Sequence, residues 1–274
     1  MTARAGTASM VTGLSLVGAV VLASAVGHFT LSDPNLQTFS ETLRPPSPAH
    51  LFGTDDLGRD VIARTLAATW LDLALALGAT AVSVTVGIVV GTLAGYLGGW
   101  PERVSLRVAD FVIAFPFVVL VLVIIAIVGP GPLGIFAALT AGGWAYYARI
   151  SRAELLVLRE RQFIQAAHTL GFSPRRVMFR HALPNLLRPG LVYSMSDAVM
   201  NILFVAALSF LGLGVRPPTP EWGAIISDGQ AYLLSAWWIT TLPGVVLTLV
   251  GLGFTLIGDA LGERLGTRVE RVAR

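Results

Sequence analysis

The sequence predicts an all-α integral membrane protein with six transmembrane helices and both termini in the cytoplasm. Three observations support this fold class. Hydrophobic residues make up 54% of the chain and charged residues only 13%, whereas a soluble domain has about 45–50% and about 25%. Six apolar stretches reach the roughly 20 residues that a helix needs to cross a bilayer. The arginines are distributed unequally between the two sides that these stretches define.

The first predicted span, residues 10–30, contains Ala23-Ser24-Ala25, a small-residue pattern like a signal-peptidase site. Because its apolar run continues past that pattern, we expect the helix to be retained, with cleavage as the alternative. Gly129-Pro130-Gly131-Pro132 leaves room only for a tight turn, so the third and fourth spans form a hairpin. The other five spans are predicted at 73–97, 108–129, 132–150, 190–212 and 238–259.

All 19 basic residues are arginine, and the chain has neither lysine nor cysteine. With the amino terminus in the cytoplasm, 15 arginines lie inside and 4 outside, which follows the positive-inside rule. The absence of lysine excludes a phosphate-binding loop ending in Gly-Lys-Ser/Thr and any lysine-based catalysis. The absence of cysteine excludes disulfides, thiolate metal sites and cysteine nucleophiles.

The predicted organisation has three parts. A first transmembrane helix covers 1–30, an extracytoplasmic segment covers 31–72, and a core of five spans covers 73–274. The core has two long connections, a cytoplasmic loop at 151–189 and an extracytoplasmic loop at 213–237. We call residues 151–189 the arginine-rich loop.

The arginine-rich loop is predicted to contain two helices joined by a turn. Residues 151–170 alternate charged and apolar positions in the manner of an amphipathic helix. Gly171 provides the turn, and Ser173-Pro174 starts a short second helix that ends near Pro184. This arrangement predicts a docking surface for a cytoplasmic partner, with a basic loop on anionic lipid as the alternative.

The arginine-rich loop also resembles a known sequence motif. It contains Gln165-Ala166-Ala167, then Gly171, then His181-Ala182-Leu183-Pro184. This spacing of small residues, glycine and Leu-Pro resembles the EAA loop of bacterial ABC importer permeases. Gln165 and His181 replace the glutamate and isoleucine of that pattern. Further segments are similar to the C-type permease subunit of dipeptide, oligopeptide and nickel importers: Gly53-Thr54-Asp55-Asp56-Leu57-Gly58-Arg59-Asp60, Leu208-Ser209-Phe210-Leu211-Gly212-Leu213-Gly214 and Pro220-Glu221-Trp222-Gly223.

The resemblance implies a type I ABC importer permease fold in the bacterial inner membrane, with a coupling helix between the fourth and fifth spans. The chain would form half of the pathway of an ATP-driven di- or oligopeptide importer. It would pair with a B-type permease subunit, two cytoplasmic ATPases and an extracytoplasmic substrate-binding protein. ATP and Mg²⁺ would bind to the ATPases, so this chain is expected to hold no cofactor and to be no enzyme. Coupling is expected from Gln165, Ala166, Ala167, Gly171, Arg175, Arg176, Arg180, His181, Leu183 and Pro184.

Other functions remain open. A nickel-chelate or glutathione importer permease is the alternative within the family, and a self-sufficient secondary transporter or channel is the alternative from another class. An intramembrane enzyme is not favoured, because no nucleophile–base constellation is evident. The four histidines lack ligand spacing, so no metal site is predicted, and no nucleic-acid partner is predicted either.

Polar residues within the predicted spans are candidates for the translocation pathway. Asp197 and Asn201 share one helix face at i and i+4, with Ser194 nearby. The alternative is a structural hydrogen-bonding pair between helices.

Other side chains are predicted to be structural. Kinks are expected at Pro116 and Pro243. Small residues should allow close helix packing at Gly87, Gly91 and Gly95. Span boundaries are expected at Asp72, Asp110 and Asp259, and interface anchors at Trp222, Trp237 and Trp238.

Overall fold

The computed structural model describes residues 2–173 and 176–272, and this part of the chain is helical. It contains no β-strand, only an isolated bridge between Thr54 and Asp60, in agreement with the predicted all-α class. The helices are α1 (Thr2–Thr30), α2 (Val61–Leu97), α3 (Gly99–Ala114), α4 (Phe117–Val128), α5 (Pro132–Arg159), α6 (Gln162–Thr169), α7 (Leu183–Phe210), α8 (Trp222–Asp228) and α9 (Trp238–Val272).

Four helical stretches of the described chain are long and apolar enough to cross a membrane by themselves. They coincide with the predicted first, second, fifth and sixth spans: Gly6–Thr30, Val61–Leu97, Val177–Phe210 and Trp238–Leu265. The predicted fourth span lies within α5. This helix also carries Arg149 and Arg152, and it is not one of the four stretches that are apolar enough to cross a membrane by themselves.

The predicted kink at Pro116 is confirmed, and it breaks the third predicted span, 108–129, into two helices. The span is divided between α3 and α4, which meet at an angle of 96°. The break follows from Pro116, which has no backbone N–H and forces the residue before it out of helical geometry. Phe115 is accordingly extended, at φ −73° and ψ 137°. Pro243, by contrast, lies inside the continuous helix α9.

The described chain forms two compact units, and the first combines Met1–Gly78, Val128–Phe136 and Met195–Arg274. In this unit α1 packs along α9, where Gly13 and Gly253 allow the two backbones to approach. A Cβ atom on Gly13 would lie only 2.6 Å from the carbonyl oxygen of Gly253. The same unit contains residues 31–60, which we call the polar segment, and the short helix α8.

The second unit combines Ala79–Ile127 and Ala137–Ser194. Its central contact is between α2 and α5, and it confirms the predicted small-residue face. Cβ atoms on Gly87 and Gly91 would overlap Tyr147 and Ala148 of α5, while one on Gly95 would approach Arg152 to 3.3 Å. These glycines therefore set the distance between the two helices.

Two predicted helix boundaries are wrong. Helix α2 begins at Val61, so the last part of the segment 31–72 is helical, and its extracytoplasmic location stays a prediction. The single helix at 151–170 is two helices, since α5 ends at Arg159 and α6 begins at Gln162. The second loop helix does not end near Pro184 but continues through a π-helical turn, Val177–Ala182, into α7.

The π-helical turn explains why Pro184 does not end the helix. In this turn the amide of Leu183 donates to the carbonyl of Met178, five residues earlier. Pro184 then falls in the first turn of α7, where its missing N–H costs little. The predicted helix start at Pro174 and Arg175 lies outside the described residues.

Candidate functional site

The arginine-rich loop contains the turn that the sequence predicts at Gly171. Its φ of +75° is a left-handed conformation that favours glycine. The amide of Phe172 donates to the carbonyl of Ala167 at 3.1 Å, which closes α6 with a Schellman-type end. No atom of the described residues lies within 4 Å of the position of a Cβ on Gly171, so the backbone conformation is what requires glycine there.

Helix α6 has one buried and one exposed face. Ile164 and Ala167 pack inward with Val177 and are almost fully buried. Gln165 and Ala166 point outward and are exposed. Of the predicted contact residues, Ala167 is therefore part of the loop's own core and does not belong to the exposed surface.

The exposed side of α6 carries a stripe of apolar residues, which the sequence analysis missed. Phe163 is 46% exposed and Leu170 is 73% exposed, and both lie on the side of Ala166. The spacing of 163, 166 and 170, at i, i+3 and i+7, could have indicated this stripe. We call Phe163, Ala166 and Leu170 the α6 stripe.

The residues after Gly171 form a stack beside α6. The ring of Phe172 lies parallel to that of His181, with centroids 6.1 Å apart. The guanidinium carbon of Arg176 lies 4.3 Å from the centre of the Phe172 ring, a cation–π distance. Arg180 and Pro184 are exposed, and Leu183 is half-buried. Arg175 lies outside the described residues.

A small apolar cluster of Leu155, Met178, Ala182 and Leu186 holds the two ends of the loop together, and Tyr96 of α2 packs against it. The guanidinium of Arg159 donates to the carbonyl of Gly95 at 3.2 Å, which joins the end of α5 to α2. A cavity of about 320 Å³ lies beneath the loop, lined by Tyr96, Leu97, Leu155, Leu158, Arg159, Ile164, Val177, Met178 and Ala182.

The candidate pathway residues lie along α7. The amide of Asn201 donates to the carboxylate of Asp197 at 3.4 Å, so the predicted i,i+4 pair is present. Asn201 is 4% exposed. The hydroxyl of Ser194 donates to the carbonyl of Leu191 in its own helix at 2.8 Å. The Asp197–Asn201 bond lies within α7, whereas the alternative from the sequence was a pair between helices, so a transport role stays a proposal.

The first unit contains a buried charge network in the polar segment that the sequence analysis did not predict. Asp55 and Arg59 are 3% and 5% exposed, and their carboxylate and guanidinium lie 2.6 Å apart. The carboxylate of Asp55 also accepts the backbone amides of Leu57 and Arg59. Asp228 of α8 lies 3.6 Å from the Arg59 guanidinium. Hydrogen bonds therefore satisfy these buried charges.

Tryptophans join the start of α2 to the segment around α8. The indole of Trp222 donates to the carbonyl of Thr65 at 2.9 Å, and its backbone amide donates to Asp72 at 3.0 Å. The indole of Trp238 donates to the carbonyl of Thr54 at 3.1 Å. Trp222 is fully buried and Trp238 is 5% exposed, so the prediction of interface anchors is wrong for both. Trp237 is 50% exposed and fits it.

The prediction of Asp72 as a water-exposed boundary residue is also wrong. Asp72 is 1% exposed because it pairs with the backbone of the α8 segment instead of reaching water. Glu221, beside it, is fully buried and caps α8 by accepting the amides of Gly223 and Ala224. Burial raises the pKa of Glu221, although these amide donors oppose the shift.

Two further groups of the polar segment and α8 have shifted pKa values. Hydrogen bonding to Asp60, with a second bond to Glu41, raises the pKa of His50 despite partial burial. Burial raises the pKa of Asp228, opposed by the positive charges of Arg59 and Arg64. Among the described residues, no group of three histidine, aspartate or glutamate side chains is arranged to hold a metal ion.

Comparison with known proteins identifies a family. Residues 87–271 match the model of the binding-protein-dependent transport system inner membrane component. The chain is 35% identical over 233 residues to a probable D,D-dipeptide transport system permease of Escherichia coli K12, covering 85% of this chain and 78% of that one. It is 36% identical over 225 residues to a glutathione transport system permease of Escherichia coli O1:K1, covering 82% and 74%.

One solved structure supports the fold. A chain of the inward-facing MetNI methionine ABC transporter superposes with a TM-score of 0.52 at 20% identity. The superposition covers 71% of this chain and 94% of that one.

Proposed function

This chain belongs to the family of inner membrane components of binding-protein-dependent transport systems, and we propose that it forms half of the translocation pathway of an ATP-driven importer of di- and oligopeptides. The expected family is confirmed, and with it a permease role in the inner membrane. Peptide cargo is supported by the dipeptide transport named for its relative. The observation that carries the coupling role is the exposed α6 stripe held beside the Gly171 turn.

The α6 stripe is the docking surface that we assign to the ATPase. Exposed apolar side chains on a short helix favour a partner that covers them. Gln165 lies beside the stripe, whereas Ala167 supports it from below. Arg176 and Arg180 are placed to pair with acidic groups at the edge of that contact, at a few tenths to about 1 kcal/mol each. Apolar burial would therefore dominate the docking.

The transport cycle that we propose needs separate ATPases. They bind ATP and Mg²⁺, while this subunit has no phosphate-binding loop and transmits their motion. Closure of the ATPase pair would pull on α6, and the Arg159–Gly95 contact and the Leu155 cluster offer a route from the loop into α2, α5 and α7. The other partners are a B-type permease subunit and an extracytoplasmic substrate-binding protein.

We propose a topology of six spans with cytoplasmic termini. The spans are α1, α2, α4, α5, α7 and α9. Helix α4 has 12 residues and is about 18 Å long, which makes it the shortest of the six proposed spans. The polar segment and α8 would face the outside, and Ser194, Asp197 and Asn201 would line the pathway along α7.

Substitution of Ala166 by arginine tests the docking surface. In the purified complex we expect Ala166→Arg to reduce the amount of ATPase recovered with the tagged permease about tenfold or more, as for a residue central to an interface. Ala153→Arg, the same change at an exposed position of α5, is the matched control and should retain the ATPase. Equal recovery from both variants would refute the assignment of α6.

The alternatives have their own tests. A glutathione cargo is favoured by one relative's name. Competition between a dipeptide and glutathione for binding-protein-dependent uptake distinguishes these two cargoes. A nickel chelate is tested as a third competitor in the same assay. A self-sufficient transporter or channel predicts uptake into liposomes without ATP. Such uptake by this chain alone would contradict the proposed importer.

A further inference from the structure

We propose that α3 is an interfacial helix whose exposed face binds the anionic cytoplasmic leaflet of the membrane. The inference adds a lipid-binding surface to the proposed function and rests on its topology for the identity of the leaflet. It depends on three observations: the direction of α3, the depth at which α3 meets α5, and the composition of its exposed face.

The first observation is that α3 does not continue the direction of α4. The two helices meet at 96°. If α4 runs across the bilayer, α3 runs along it. Helix α3 also differs in composition, because it carries several charged residues whereas α4 has none.

The second observation is the register of two ion pairs between α3 and α5. Arg152 lies 2.7 Å from Glu102, and Arg149 lies 2.8 Å from Asp110. The acidic partners are about 12 Å apart along α3 and the arginines only about 4.5 Å apart along α5. Helix α3 therefore crosses α5 instead of running beside it.

The position of this crossing sets the depth of α3. The part of α5 from Pro132 to Arg149 is about 25 Å long, close to the roughly 30 Å of a bilayer's hydrocarbon core. The crossing thus lies at the membrane boundary opposite the tight turn that precedes α5. In the proposed topology this is the cytoplasmic boundary.

The third observation is the exposed face of α3. Trp100, Val104, Val108 and Phe111 are 73%, 38%, 48% and 65% exposed and follow one another at i, i+4, i+8 and i+11. On the opposite side, Ala109 is fully buried. The apolar face is therefore turned away from the rest of its unit.

Two arginines adjoin this apolar face and identify its partner. Arg103 and Arg107 are exposed. At spacings of three and four residues, Arg103 adjoins Trp100, and Arg107 adjoins Val104 and Phe111. A helix with tryptophan and valine on one face and arginines at its edge is suited to lie in a membrane, with guanidinium groups extended to phosphates. Helix α3 also follows α2 after a single residue, so it begins where a membrane span ends.

Spin labels on single cysteines test the proposal, because the chain has no cysteine of its own. Val104→Cys and Val108→Cys report on the face, and Val157→Cys, exposed in the last turn of α5, is the matched control. The full chain is reconstituted in vesicles of phosphatidylcholine alone or of phosphatidylcholine mixed with phosphatidylglycerol. Each sample is prepared with and without the partner subunits, in variants from which any cysteines have been removed. Collision rates with oxygen and with water-soluble chromium oxalate give the depth of each label.

We expect the labels at 104 and 108 to collide with oxygen in preference to chromium oxalate, and the label at 157 to show the reverse. Phosphatidylglycerol should move the labels at 104 and 108 deeper into the bilayer. Arg103→Gln with Arg107→Gln should reduce the ratio of docked to undocked helix about 20- to 30-fold at low salt, whereas Arg216→Gln, an exposed arginine outside α3, should not.

Three outcomes would overturn the proposal. Labels at 104 and 108 that are as accessible to chromium oxalate as the label at 157 would place α3 in water. Labels shielded from both reagents only when the partners are present would make α3 a subunit interface. An unchanged depth in the two vesicles would remove the preference for anionic lipid. Loss of ATPase binding in Ala166→Arg would not affect these depths, so this proposal and the coupling proposal fail separately.

Discussion

The polar segment and the arginine-rich loop use their charges in opposite ways. In the polar segment Asp55 and Arg59 are buried and bonded to each other. In the arginine-rich loop Arg180 is exposed, and the α6 stripe beside it presents apolar side chains to the surroundings. One region has a polar interior, and the other has an apolar exterior.

The difference indicates what each region is built to do. A buried charge is tolerated only with its partners in place, so the hydrogen bonds of the polar segment specify one arrangement. The α6 stripe consists of apolar side chains that stay exposed among the described residues of its unit, which suits a surface that meets a partner. Substitutions in the polar segment should therefore change stability, and substitutions in the loop should change association.

The largest effect on stability is expected at Trp222. Replacing this fully buried indole by alanine removes its packing and its hydrogen bond to the carbonyl of Thr65, at a cost of about 3–5 kcal/mol. The bond from the backbone amide of residue 222 to Asp72 is retained. Trp237→Ala is the matched control because that side chain is half exposed. The measurement is the temperature at which half of the detergent-purified protein remains monodisperse. A similar loss in both variants would contradict the role of Trp222.

A smaller loss is expected when the buried ion pair is broken. Arg59→Gln leaves Asp55 without its closest partner, which in buried pairs costs about 3–5 kcal/mol, but Arg64 at 3.8 Å offsets part of it. Arg149→Gln breaks the exposed pair with Asp110 and should cost less than about 1 kcal/mol. Thermal inactivation of the two variants compares them directly. Equal losses of stability in Arg59→Gln and Arg149→Gln would show that burial does not increase the contribution of the Asp55–Arg59 pair.

The sequence predicted the helical class, four of the spans, the Gly171 turn and the glycine face of α2. These features depend on local hydropathy, backbone freedom and spacing, all of which are visible in one segment. It did not predict the burial of Asp72 or Trp222, because their partners are about 150 residues away along the chain. The exposed α6 stripe was missed because residues 151–170 were treated as one amphipathic helix with a single apolar face, whereas the break before Gln162 gives α6 a separate exposed stripe.

An intermediate effect is expected at the turn of the loop. Gly171→Ala places a side chain at φ +75°, which costs about 1–2 kcal/mol although no atom stands in its way. Gly18→Ala is the matched control, since it too meets no neighbour and has no positive φ. Hydrogen exchange of residues 162–172 should accelerate only in Gly171→Ala. Unchanged exchange would mean that the turn does not depend on glycine.

The smallest effect is a dependence of stability on pH through His50 of the polar segment. Its folded pKa is raised above the ordinary 6.5 because Asp60 and Glu41 bond to the ring. The stabilisation is therefore complete below about 6.5 and is lost as the pH rises through the folded value. Because the pair is partly exposed, the change should be a shift of a few degrees or less in the thermal midpoint. We expect the thermal midpoint of the wild type to fall between pH 5.5 and pH 8, which lie on either side of the ordinary histidine pKa of about 6.5. The midpoint of His50→Gln should not show this fall. A midpoint that rises with pH in the wild type but not in His50→Gln would reverse the sign and exclude the charged ring as the stabilising form.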